Sequence, residues 1–385
     1  MDKFTYISLF SSAGVGCYGF KQENFECIAT NELLSKRLQV QKYNKKCKYE
    51  SGYICGDILK KETIDKIHDE IQLWKDNEHL KDITTIIATP PCQGMSVANH
   101  KKKDEQARNS LVIESLKLIK DIKPKTFIIE NVRAFLNTIC TDVDGLNKKI
   151  NEAIDNNLSE LFNIYSKVLN FKDYGSNSSR TRTLVIGVRK DINVEPELLF
   201  PIKQNEKTIR QVIGDLQSLN KMGEISKNDI YHSFRKYNPE MRKWISDLKE
   251  GQSAFDNTDP TKLPHYYKNG VKVFCKKKNG DKYTRQFWDK VAPCIHTRND
   301  ILASQNTIHP QDDRVFSVRE LMRFMSIPQD FQWTDKTLNE LNKLNECEKQ
   351  NFIKQNDINI RQSIGEAVPT VIFNQIAKNI KKYIG

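Results

Sequence analysis

The stretch "SLFSSAGVGCYGF", Ser8–Phe20, joins the end of an apolar run, Thr5–Phe10, to three glycines spaced G-x-G-x-x-G: Gly14, Gly16 and Gly19. A glycine loop directly after a strand turns the chain tightly and lets its backbone approach a ligand. Working outward, short apolar runs recur at Phe25–Ala29, Ile83–Ala88, Thr126–Ile129 and Thr183–Val188, separated by segments of helical period. Such alternation predicts an α/β fold with a parallel sheet covered by helices on both faces. Residues 109–122 carry Leu111, Val112, Ser115, Leu116, Ile119 and Ile122 at three- and four-residue spacings, a helix with one apolar face that Pro124 ends. A final helix over Thr370–Tyr383, with Val371, Ile372, Gln375, Ile376 and Ile380 on one stripe, is predicted to pack back on the first lobe.

Taken alone, the glycine loop admits two ligands. Glu32, 18 residues after Gly14, stands where an acid binds ribose hydroxyls in a dinucleotide site. The same geometry serves S-adenosylmethionine, whose adenosine needs the same ribose contact, and Asp57 in "CGDI" then receives the adenine amino group at the end of a third strand.

The whole chain sets the class. Its 385 residues suffice for two lobes, and 38% hydrophobic with 29% charged residues reads as an ordinary globular composition. No apolar run approaches the roughly 20 residues that span a bilayer, so no membrane association is expected, and the location expected is cytoplasmic. Nine cysteines without a C-x-x-C pair argue for a reducing compartment and against a disulfide framework; the seven histidines do not cluster with them, so no metal site is expected. The net charge of +12 points to a polyanion partner. Residues 201–300 hold 20 Lys and Arg against 12 Asp and Glu, and the region after Val188 turns polar, basic and aromatic in stretches such as "YHSFRKYNPEMRKW" and "VFCKKKNGDKY". That shift marks a domain boundary.

Two further strand ends carry chemistry. "IIATPPCQG", Ile86–Gly94, sets Cys92 just beyond a buried strand, where open α/β sheets bind ligands. Two prolines before it and Gln93-Gly94 after it favour an exposed thiol over a packed one. "FIIENV", Phe127–Val132, sets Glu130 at the end of the next strand, so that a nucleophile and an acid share one crevice.

With these pieces in view, the chain resembles the cytosine-5 DNA methyltransferases of bacterial restriction-modification type over nearly its full length. The matching segments are "SLFSSAGVG", Asn31-Glu32, Gly56–Ile58, "PPCQG", "ENV", "SSRTRTLVIG", "RQFWDKVAPCIHT", "HPQDDRVFSVRELMRFMSIPQDF" and "IGEAVPTVI". The resemblance implies a Rossmann-like S-adenosylmethionine-dependent domain, residues 1–200 with a C-terminal helix 360–385 packing back on it, and a smaller DNA target-recognition and hinge region, 201–359. It implies Cys92 as nucleophile at cytosine carbon 6, Glu130 as the acid on ring N3 and the exocyclic amine, Arg182 on O2 and Arg180 in support. For the methyl donor it implies Phe10, Ser11, Ala13, Gly14, Glu32, Asp57, Ile58, Leu111 and Glu366. The implied partner is double-stranded DNA with the target cytosine flipped out, bound by a monomer, with a cognate restriction endonuclease acting separately.

Three positions depart from the family pattern: Ser12 replaces a loop glycine, Ser178 a glutamine and Glu366 an asparagine. Small or hydrogen-bonding replacements at Ser12 and Ser178 are expected to be tolerated; a carboxylate at Glu366 accepts hydrogen bonds without donating them. A related reading, methylation of tRNA cytosine, lacks the Cys-Phe-Thr signature usual in that branch. A silent DNA-binding relative is disfavoured by the joint presence of Cys92, Glu130 and Arg182, and an oxidoreductase rests on the glycines alone.

Overall fold

The computed structural model describes residues 3–91, 109–276 and 281–385. The chain divides into two compact units, one of Met1–Gly175, Thr181–Gln204 and Val368–Gly385, the other of Ser176–Arg180 and Asn205–Ala367.

The first unit is built on a seven-stranded sheet: β1 (Thr5–Leu9), β2 (Glu26–Glu32), β3 (Tyr53–Cys55), β4 (Thr85–Ala88), β5 (Thr126–Val132), β6 (Phe162–Asn170) and β7 (Thr181–Arg189), in the order β3-β2-β1-β4-β5-β7-β6. Pairings among β1 to β5 are parallel. The order reverses after β1, which leaves a crevice at the carboxyl ends of β1 and β4. The expectation of a parallel sheet fails at β7, which runs antiparallel to both β5 and β6. Residues 171–180, between β6 and β7, are too few for a crossover helix, so β7 returns as a hairpin partner of β6.

Alternate strand residues face two helical layers. Ile7, Leu9, Ile86, Phe127 and Ile129 pack toward α3 (Lys61–Glu78), α4 (Leu111–Ile122) and α5 (Ile150–Leu158), which contribute Trp74, Leu116, Ile119 and Ile154. Tyr6, Ile87, Ile128, Leu184 and Ile186 face α1 (Tyr18–Gln22) and the last helix, α7 (Thr370–Ile384). Burying each large apolar side chain contributes about 1.5–3 kcal/mol. α4 ends at Lys123, which takes the left-handed conformation at φ 53° before Pro124. Of the stripe predicted on α7, Ile372, Ile376 and Ile380 are buried, joined by Phe373 and Ala377. Gln375 sits at the margin, donating to the Tyr174 carbonyl at 2.7 Å and accepting from the Ile202 N–H at 3.0 Å.

The second unit has a smaller core of Trp244, Ile245, Leu248, Tyr283, Leu302, Ile308 and Val315, with two antiparallel ribbons and the long helix α6 (Glu346–Glu366). "HPQDDRVFSVRE" forms a buried ionic knot there. Arg314 donates from both terminal nitrogens to Glu320 at 2.8 Å and from Nε to Asp312 at 2.9 Å. His309 Nδ1 accepts from the backbone N–H groups of Gln311 and Asp312. Burial holds this imidazole neutral, with its pKa down at about 4. The Arg314 guanidinium holds the Glu320 carboxyl well below the usual range against the cost of its burial.

Candidate active site

The glycine loop is set by conformation and by a buried polar network. Phe10 (φ 55°), Ser12 (φ 45°) and Gly14 (φ 76°) all lie in the left-handed region. At Ser12 this explains why glycine is usual: an L-side chain there costs about 1–2 kcal/mol. Glu32, at the end of β2, holds the turn. Its Oε2 accepts the Ser12 N–H at 2.7 Å and its Oε1 the Leu34 N–H at 3.0 Å. Beneath the loop, Gln41 on α2 (Ser35–Tyr43) donates to Ser11 Oγ at 2.8 Å and to the Ser12 carbonyl at 2.6 Å. Gln41 Oε1 accepts from the Thr30 hydroxyl and from Lys46. Nothing in the sequence around Gln41, Thr30 or Lys46 marks them, because their role is created by tertiary contact.

Gly16 and Gly19 serve packing. A Cβ on Gly19 would lie 2.4 Å from the Asn374 backbone N and 2.5 Å from the Thr370 carbonyl, and one on Gly16 would lie 3.1 Å from Phe373 and Val368. The Thr370 hydroxyl also donates to the Val15 carbonyl at 3.1 Å. The second and third glycines therefore let α7 cross α1 at backbone contact.

β3 carries Asp57 to the same edge as Glu32. Glu32 pairs with Cys55, the Gly56 N–H donates to the Glu32 carbonyl at 3.1 Å, and the Asn31 amide donates to the carbonyls of Ile54 and Gly56. Asp57 Oδ1 accepts the Leu59 N–H at 3.0 Å, while Ile58 is buried in the core. Leu111 packs at the core margin as the first residue of α4, and Ala13 is buried in the loop.

At the opposite side of β1, antiparallel pairing of β5 with β7 sets Val132 against Arg182 and Glu130 against Leu184. Arg182 Nε thereby reaches Glu130 Oε1 at 3.2 Å, with both side chains largely buried. A carboxylate-guanidinium pair of this kind, at the end of buried strands, can hold a polar ring by its edge. The next residue, Asn131, donates its amide to the Pro90 carbonyl at 2.9 Å. That bond ties the segment leading to Cys92 onto the strand bearing Glu130. Cys92 itself lies outside the described residues.

Arg180 and Glu366 belong to the second unit. Arg180 is buried and donates to the carbonyls of Ile295 and Gly365 at 3.4 and 3.3 Å. Ser178 is fully buried, its hydroxyl donating to Met325 Sδ at 3.6 Å. Glu366 is exposed as the last residue of α6.

With this geometry established, comparison with known proteins is decisive. The profile of the C-5 cytosine-specific DNA methylases matches residues 4–382. The chain belongs to that family. It is 31% identical over 392 residues to the type II methyltransferase M1.HgaI of Avibacterium volantium, covering 97% of each chain. Identity to the type II methyltransferase M1.HphI of Haemophilus parahaemolyticus is 26%, covering 98% of this chain and 87% of that one. Among solved structures, the Dnmt2 methyltransferase of S. pombe superposes with a TM-score of 0.56 at 14% identity, over all of both chains, a likeness of fold. This methyltransferase is thus an S-adenosylmethionine-dependent enzyme of restriction-modification type with a Rossmann-like domain. Among the described residues, no group of His, Cys, Asp or Glu is arranged to hold a metal ion and no helix is long and apolar enough to cross a membrane.

Proposed function

We propose that this enzyme methylates carbon 5 of a cytosine flipped out of a specific double-stranded DNA sequence, through a covalent adduct on Cys92. The observation that carries the reading is the buried Glu130–Arg182 pair at 3.2 Å beside Asn131, which anchors the Pro90 carbonyl two residues before the nucleophile.

The donor residues fit the group the family uses. Glu32 and Asp57 offer carboxylate oxygens at adjacent strand ends, acceptors suited to the ribose hydroxyls and adenine amine of S-adenosylmethionine; in our reading the Phe10–Gly14 loop, Ile58 and Leu111 complete the donor set. Bound there, S-adenosylmethionine supplies an electrophilic methyl group. Cys92 adds as thiolate to cytosine carbon 6, which makes carbon 5 nucleophilic. Glu130, as the protonated acid, donates to N3 and accepts from the exocyclic amine, and Arg182 donates to O2, which stabilises charge as the thiolate adds. After methylation the carbon 5 proton passes to solvent, the electron pair of its bond re-forms the 5,6 double bond, and the carbon–sulfur bond breaks with its electrons leaving on the Cys92 thiolate. Arg180, bound to the carbonyls of Ile295 and Gly365, acts as a positioning residue.

Residues 1–200 with 360–385 carry this chemistry in our reading, and 201–359 carry target recognition. Flipping costs a few kcal/mol, which phosphate contacts from the basic 201–300 stretch offset. The enzyme acts as a monomer that protects DNA against a separate cognate endonuclease. Bisulfite sequencing of DNA from a host expressing the chain tests the reading: 5-methylcytosine in one short sequence context supports it, and an unmodified genome from a host that makes folded protein refutes it.

A further inference from the structure

We propose that the β-hairpin His265–Lys268 paired with Val271–Phe274 enters the major groove of the DNA duplex and reads bases there through Tyr266 and Tyr267. This rests on the reading of the second unit as the DNA-recognition region.

Among the described residues the hairpin forms a two-stranded sheet of its own. His265 pairs with Phe274, Tyr266 with Val273, Tyr267 with Lys272 and Lys268 with Val271. Asn269 (φ 50°) and Gly270 (φ 78°) close it in the left-handed pair that suits a two-residue turn. Its base is fixed. The buried His265 ring packs on Trp244 at 5.1 Å, its Nδ1 lies 2.9 Å from the Leu263 carbonyl, and the Cys275 N–H donates to the Pro264 carbonyl at 2.8 Å.

Beyond that base the ribbon exposes what a folded chain ordinarily hides. Tyr266 is 51%, Tyr267 65%, Val271 65% and Phe274 48% exposed. An isolated hairpin with solvent on both faces contributes little to stability, so these aromatics are not retained for the core. Lysines line the ribbon: Lys268, Lys272 and Lys276 are exposed along it, no Asp or Glu occurs in sequence between Asp259 and Asp281, and Glu240 meets it only at its base, 3.6 Å from His265 Nε2. Exposed aromatics among lysines on a single ribbon match a polyanion that displays flat bases. The dimensions agree, since paired strands lie roughly 4.8 Å apart and a major groove about 12 Å wide admits a two-stranded ribbon. Successive strand residues face opposite sides, so Tyr266 with Lys268 lies on one face and Tyr267 with Lys272 on the other. Entering edge-on, the ribbon turns one face to each wall of the groove, where the lysines contact phosphates, which position it, and the tyrosines reach base edges, which specify sequence.

The test uses the full chain and duplexes carrying 5-bromodeoxyuridine, whose halogen lies in the major groove, at positions flanking the methylated cytosine. Irradiation is expected to cross-link Tyr266 or Tyr267. The Lys268→Ala/Lys272→Ala variant is expected to bind any duplex more weakly and to lower the slope of log affinity against log salt by about 2. The Tyr266→Ala/Tyr267→Ala variant is expected to lose at least tenfold of the preference for the methylated sequence over a scrambled one, with donor binding and thermal melting unchanged because the positions are exposed. Cross-links confined to other segments, with wild-type salt slope and preference in the variants, overturn the proposal. So does a tyrosine variant that only dissociates a dimer in sedimentation, which would assign the ribbon to contact between copies. Failure of the functional reading is seen separately, as wild-type protein that binds duplex DNA without methylating it.

Discussion

Gly19→Ala is a one-carbon change with a large expected penalty. The added methyl would lie 2.4 Å from the Asn374 nitrogen, 2.5 Å from the Thr370 carbonyl oxygen and 3.0 Å from the Asn374 Cα. Ordinary contact begins near 3.4 Å, so α7 must withdraw by nearly an ångström or α1 must bend. Both opposing atoms are backbone, so no rotamer change relieves the clash. Withdrawal loosens Ile372, Phe373 and Ile376 against Phe20 and the sheet, where Phe20 and Phe373 meet edge to face at 6.0 Å. Overpacking of this kind costs about 1–3 kcal/mol. At roughly 2–4 °C per kcal/mol for a large domain, the melting temperature of the first unit should fall by about 2–12 °C. Differential scanning calorimetry reads this directly. Truncating Asn374→Ala in the same background should not restore stability, because the clash is with its main chain. A Gly19→Ala protein melting within about 1 °C of wild type, or one rescued by Asn374→Ala, would refute the argument that these glycines serve helix crossing.

Glu32→Ala removes a ligand acceptor and the clamp on Ser12 and Leu34 together, so S-adenosylmethionine affinity measured by titration calorimetry should fall by on the order of 1–3 kcal/mol; wild-type affinity would count against the donor site. Acid stability should depend on His309. Its folded pKa of about 4 lies below the ordinary 6.5, so the unfolded chain takes up the proton first. Stability is fully present above pH 6.5 and is lost by up to about 3 kcal/mol as pH falls toward 4. A His309→Asn variant, which keeps an acceptor for the Gln311 and Asp312 N–H groups, should show a flatter melting profile between pH 7 and 5; an unchanged slope would refute the assignment.

What was legible in the sequence follows from how much of each element is buried. β1, β2, β4, β5 and β7 are apolar on both faces and read as continuous runs. β6, "FNIYSKVLN", lies at the sheet edge with only Phe162 and Leu169 among its apolar residues fully buried, and so left no such run. An apolar run also carries no direction, which is why the reversal of β7 emerged only from its pairing. Glu130 and Arg182 were legible as motif residues, but their meeting depends on that reversal. Asn131, inside "ENV", takes its task from a tertiary bond to the Pro90 carbonyl that local sequence does not encode. The hairpin had a local signal, Asn269-Gly270 between alternating residues, inside a region read only as basic and aromatic.

The central claim is that Cys92 bonds to cytosine carbon 6. Fluorine at carbon 5 cannot leave as a cation, so a duplex with 5-fluorocytosine at the target position should hold the enzyme covalently when S-adenosylmethionine is present. Mass spectrometry of the digested complex should place the adduct on the peptide containing "TPPCQGMSVANH", and Cys92→Ser should form none, because a serine hydroxyl is barely ionised near neutral pH. An adduct on Cys17, Cys55 or Cys294, or full methylation by Cys92→Ser, would contradict the mechanism.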